Sequence, residues 1–174
     1  MLQKTGRVLW IVVGLILLVP RLARGADEVS GTFTVKGKTT TFGYVTCYWK
    51  PNFFDQAKKD LFVLFSDVPI SAGSIPKNDD GISKIAAMVR EGKIHALELH
   101  LSPVTRRLDG AENAAVYHVG LSPGRHGMSG MHVFEAKTFD SKTVEATSRT
   151  EKEQDDGGVR WRYEVRFRVT IPPQ

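Results

Sequence analysis

The stretch His126-Gly127-Met128-Ser129-Gly130-Met131-His132 puts two imidazoles and two thioethers into seven residues rich in glycine. Thioether sulfur and imidazole nitrogen suit Cu(I), a soft ion that carboxylates hold poorly. The spacing Met128-x-x-Met131-His132 would bring two sulfurs and one imidazole together across a turn. The candidate metal ligands are therefore His126, Met128, Met131 and His132, with copper as the cofactor they would hold. A plainer expectation competes with it. His132 shares a strand phase with Phe134 and Ala136, so it also reads as a hydrogen-bonded histidine at the edge of a core. None of these spacings is that of a zinc site.

Other chemistry is thinly represented. Gly127-Met128-Ser129-Gly130-Met131 lacks the final glycine of a nucleophile elbow and precedes a strand where that elbow needs a helix. There is no paired-histidine metalloprotease motif, P-loop or dinucleotide fingerprint. No catalytic residue is nominated, and an enzyme ranks third among the functional readings. The single cysteine, Cys47, cannot form an internal disulfide and reads as a small buried hydrophobe in an apolar strand.

The N-terminus sets the compartment. Lys4 and Arg7 precede an apolar run over residues 8–19, and Ala23-Arg24-Gly25 places small residues three and one before a cut. This is the pattern of a secretory signal peptide over residues 1–25, leaving one domain over 26–174. The apolar run is too short to be a spanning helix of about 20 residues, so no membrane span is expected after cleavage. Export would leave the domain in the periplasm or outside the cell. Cleavage removes four of the 24 Lys and Arg while all 19 Asp and Glu remain, taking the net charge from +5 to about +1. A nearly neutral domain has no bulk electrostatic attraction to nucleic acid.

The elements that must position any site are mostly strands. Residues 32–36 and 39–49 alternate as a hairpin about Lys36-Gly37-Lys38. Residues 61–65 are continuously apolar, as in a central strand covered on both faces. Residues 70–80 form a surface loop. Asp79 or Asp80 then caps a short amphipathic helix carrying Ile82, Ile85, Ala86 and Val89, which ends at Gly92 and covers an open end of the sheets. Further strands are expected over 94–102, 114–121, 131–138, 142–152 and 159–171, with residues 122–130 as an exposed loop. About eight strands, one helix and no βαβ rhythm predict an antiparallel β-sandwich, immunoglobulin-like or jelly-roll-like.

The last strand alternates Val159, Trp161, Tyr163, Val165, Phe167, Val169 and Ile171 with arginines and other polar residues. Those arginines could suggest a nucleic-acid stripe, so their pairing decides their role. A turn centred on Asp156-Gly157 sets Glu153, Glu151, Arg149, Thr147 and Glu145 against Arg160, Arg162, Glu164, Arg166 and Arg168. A turn on Gly157-Gly158 would instead oppose Glu151 with Glu164 and Arg149 with Arg166, which is unfavourable. The expected register is therefore the first, a neutralised charge ladder with Val144 facing Val169 and Ala146 facing Phe167.

Gly130-Met131-His132-x-Phe134-Glu135, followed by Phe139-Asp140-x-Lys142-Thr143, resembles a motif of small exported bacterial β-domains of unknown function. That resemblance implies a single secreted β-domain and transfers no catalytic residue. Together these readings predict a binding module for an envelope or extracellular component, a protein or a glycan, using loops 122–130 and 70–80. The alternative is a periplasmic copper-binding protein.

Overall fold

In the strand β12 (Val159–Thr170) every second side chain from Trp161 to Val169 is buried and every intervening one is exposed. Burying each of these large apolar side chains contributes about 1.5–3 kcal/mol, which commits that face to the interior. The structure, a computed structural model, describes residues 27–52, 55–108, 113–121, 125–128 and 131–174. The segment 1–25 read as a signal peptide lies outside them, and for 125–128 only the backbone is described. No helix among the described residues is long and apolar enough to cross a membrane.

Two antiparallel sheets pack face to face. The first contains β1 (Glu28–Val35), β2 (Lys38–Thr41), β9 (His132–Phe139), β10 (Thr143–Thr150), β11 (Gln154–Asp156) and β12, in the order β2-β1-β12-β10-β9, with β11 also paired to β12. The second contains β3 (Tyr44–Pro51), β4 (Lys59–Ser66), β5 (Ala96–Ser102), β6 (Arg107–Leu108), β7 (Ala114–Tyr117) and β8 (Arg125–Met128), in the order β3-β4-β5-β7-β8, with β6 also paired to β5. Phe33, Val35, Trp161, Val165 and Phe167 from one sheet meet Val63, Phe65, Leu97, Leu99 and Val116 from the other in a single core. The chain first passes between sheets at Phe42-Gly43, where Phe42 N–H donates to Gly31 O and Gly43 N–H to Ser66 O.

The expected sandwich is present, with differences that have physical causes. Twelve strands are described instead of about eight, because bends and turns break several runs into pieces of two to four residues. Apart from β1 beside β12, each strand lies next to a sequence neighbour, an up-and-down order and not the Greek-key crossing of an immunoglobulin or jelly-roll domain. Residues 122–130 are not one loop, since they contain β8, paired with β7 from Ala114↔Met128 to Tyr117↔Arg125. Glycine content had masked it.

The helix α1 (Asp79–Arg90) is capped by Asn78, whose side chain accepts from Gly81 N–H, and not by either aspartate; Asp79 and Asp80 occupy its first turn. It does not plug an open end. Ile85 and Val89 pack with Leu64, Ala96, Ala115 and Tyr117, which covers the outer face of the second sheet. That cover is why β4 is buried on both faces, as its continuous apolar run predicts.

The register of β12 against β10 is the expected one: Glu145↔Arg168, Thr147↔Arg166, Arg149↔Glu164, Val144↔Val169 and Ala146↔Phe167. The turn is not. Gln154 pairs with Trp161 and Asp156 with Val159, so Gly157 and Gly158 are central, with φ of 59° and 87°. Two successive positive φ angles suit a type I′ turn and favour glycine at both places. The two registers differ by two residues, and residues 151–153 absorb the difference. Glu151 and Glu153 therefore are not ladder partners of Arg162 and Arg160, although Glu153 still lies 3.9 Å from Arg160. On its other edge β12 sets Arg168 opposite Glu28 in β1.

Candidate functional site

Along one side of the sandwich, β6 of the second sheet faces the edge strand β9 of the first. Between them opens a cleft of about 420 Å³ lined by Arg106, Arg107, Leu108, Asn113, His132, Phe134 and Ala136. Leu108 and Phe134 are the flank of the main core, half-buried, and give the cleft its apolar lining. Arg106 and Arg107 are exposed and sit at a turn built on Ser102, whose Oγ accepts from Thr105 N–H and whose carbonyl accepts from Arg106 N–H. Arg106 has φ of 57°, a left-handed conformation that costs a residue with a Cβ about 1 kcal/mol or more. No carboxylate lines the cleft among the described residues.

His132 is held from inside the core. Its Nδ1 lies 2.9 Å from the Tyr163 hydroxyl, which lies 3.0 Å from Ser148 Oγ, and the two rings stack at 5.6 Å. Burial pushes the Tyr163 phenol above its ordinary range, with the Ser148 hydrogen bond opposing, so the hydroxyl stays neutral and can serve only as a hydrogen-bond partner. The network fixes the imidazole at the cleft wall, which agrees with the plainer expectation for His132.

The other proposed metal ligands lie on different elements. Register places His126 opposite Val116 and Met128 opposite Ala114 on β8, in the second sheet. Met131 precedes β9, with its carbonyl accepting from Glu151 N–H, and His132 lies opposite Thr150 in the first sheet. The side chains of His126 and Met128 are outside the described set. Of the two segments expected to bind, 70–80 holds a short 3-10 turn (Ala72–Ser74) and the cap of α1, while the described part of 122–130 is the strand β8.

A buried polar cluster escaped the sequence reading. Glu98, 2% exposed, accepts at Oε2 from the hydroxyls of Tyr48 (2.9 Å) and Tyr117 (3.0 Å), and at Oε1 from Lys50 Nζ (2.8 Å). The Lys50 ammonium sits 4.1 Å from the Phe62 ring centre, and the His100 ring stacks on Phe62 at 4.5 Å. His100 Nε2 comes within 3.1 Å of Asp60 Oδ2 but is too far out of line for a hydrogen bond, and Asp60 accepts from Asn52 Nδ2 at 2.8 Å. Glu98 is fully engaged by its own neighbours, so the cluster fastens β3, β5 and β7 together. The available signal was the polar phase of β5, Glu98 and His100, beside a β4 that needed cover on both faces.

At the far end of the second sheet, Asp67 accepts from His95 N–H at 2.8 Å and lies 2.7 Å from His95 Nδ1, and the His95 and His118 rings are 4.6 Å apart. Gly120 N–H donates to His118 Nδ1 at 2.8 Å, which leaves the proton of the neutral ring on Nε2. Burial, then the neighbouring His95, lower the His118 pKa to about 4, so the ring is neutral at pH 7. A metal at His118 Nε2 would require the opposite tautomer, and among the described residues no three His, Cys, Asp or Glu side chains are grouped to hold an ion. Cys47 packs against the main core and burial pushes its thiol up to about 12, so it is an unreactive thiol. Compared with protein-family models, curated proteins and solved structures, the chain matches none.

Proposed function

We propose that the domain over 26–174 is an exported binding module that holds a component of the cell envelope or extracellular medium in the cleft between β6 and β9. The observation that carries this reading is the cleft itself. Its volume of about 420 Å³ falls within the roughly 300–1,000 Å³ of small-molecule sites, and it sets polar side chains around an apolar floor. Its described lining offers two guanidinium groups, an amide and an imidazole that the Tyr163 hydroxyl holds in place, groups suited to binding a polar ligand. The signal-like segment 1–25 supports export.

Affinity capture from envelope extracts tests it. Immobilised mature domain should retain a ligand that Arg107→Ser with Phe134→Leu releases and that alanine substitutions across 70–80 leave bound. Unchanged capture by the cleft variant would overturn the reading. Export is checked separately by N-terminal sequencing of the secreted protein, which should begin at Ala26.

A further inference from the structure

Resting on that reading, we infer that the ligand in the cleft is an acidic saccharide, held through the carboxylate of a uronic-acid ring. The charge pattern of the surface points there. Along β12 and its neighbours several arginines have acidic neighbours, though not all: Arg149 lies opposite Glu164, Arg168 opposite Glu28 and Glu145, and Arg160 is 3.9 Å from Glu153, while Arg162 faces Thr34. Arg106 and Arg107 have no ion pair with a carboxylate among the described residues, yet they stand consecutively on one rim of a concave site. Guanidinium groups match the two oxygens of a carboxylate in a planar, paired arrangement.

Two more observations select a sugar over a bare anion. The cleft holds an apolar ring, Phe134, and an amide, Asn113, as well as cations, and a pyranose offers a C–H face and hydroxyls that suit both. The left-handed backbone at Arg106 is strain kept at the mouth of the cleft, where ligand clamps commonly keep it. Asp140 feels the Arg106 charge only after the backbone hydrogen bonds from Lys142 and Thr143 and the charge of Lys142, and no ion pair joins it to Arg106 among the described residues.

Titration calorimetry of the mature domain with galacturonic-acid tetrasaccharide, neutral glucose tetrasaccharide and a glucose phosphate tests the assignment. The acidic tetrasaccharide should bind, the neutral one should bind about tenfold or more weakly, and binding should weaken with added salt. Arg106→Gly, which removes the charge while relieving the backbone, and Arg107→Gln should each weaken the acidic sugar about tenfold or more, with circular dichroism unchanged. Equal binding of acidic and neutral sugars, tighter binding of the sugar phosphate, or wild-type affinity in the Arg106→Gly, Arg107→Gln double variant would overturn the inference. If no saccharide binds while envelope capture remains sensitive to the cleft variant, the acidic-saccharide assignment fails and the binding module stands. If cleft-dependent capture fails as well, both fall.

Discussion

Lys50 reaches across the face of Phe62 to place its ammonium 2.8 Å from Glu98 Oε1, spanning β4 to join β3 to β5. With side chains 15% and 3% exposed, the pair is shielded from water, so removing one partner strands the other. Lys50→Met should cost about 3–5 kcal/mol in urea denaturation. Lys50→Met with Glu98→Leu, Tyr48→Phe and Tyr117→Phe removes the whole polar set and should recover most of that loss. A quadruple variant less stable than Lys50→Met would refute the account.

Acid should weaken the fold through His118. Its folded pKa of about 4 lies below the ordinary 6.5, because burial penalises the imidazolium. The stability tied to the neutral ring is fully present above pH 6.5 and is lost as pH falls toward 4. Because the ring is only half-buried, solvent screening reduces the effect to about 1–2 kcal/mol. Denaturation midpoints at pH 7.5, 5.5 and 4.5 should fall for the wild type and fall less for His118→Gln, whose amide oxygen can still accept from Gly120 N–H.

Gly31 has no room for a side chain. A Cβ there would lie 2.5 Å from Glu164 O and 2.8 Å from Val165 Cα, whereas one at Gly43 would meet nothing within 4 Å. Gly31→Ala must push β1 off β12 and should cost more than about 2 kcal/mol by thermal melting, while Gly43→Ala should be close to neutral.

The turn and the charge ladder are out of step by two residues, and 151–153 reconcile them. Deleting Lys152 and Glu153 should therefore keep both registers and a cooperative melt. Deleting Glu153 alone forces a slip by one residue, which turns polar side chains toward the core, and should unfold the domain or broaden its transition. Similar melting of the two deletions would count against the register argument.

Where strands alternate, the sequence was legible: the buried face of β12, the double cover of β4 and the β10–β12 register all follow from apolar spacing and charge. The motif from Gly130 to Thr143 gains a structural account at its far end, since Asp140 Oδ1 accepts from both Lys142 and Thr143 N–H and so builds the β9–β10 turn. The strand β8 was hidden because glycine and histidine give it no apolar period. The cleft and the Glu98 cluster were illegible for a different reason. Arg107 and His132 belong to different sheets, and Lys50 and Glu98 are separated by 48 positions, so only strand pairing reveals their proximity.

The pairing of β1 with β12 also governs the order in which the chain can fold. The first strand finds its long partner only in the last, with Thr170 N–H donating to Asp27 Oδ1 across 143 positions. Such distant pairing slows folding, since loop entropy must be lost before contacts form. A nascent chain therefore cannot complete the first sheet until its C-terminal strand has been synthesised. Until then the β1 edge that β12 will cover stays open, so the two ends of the chain close the first sheet together.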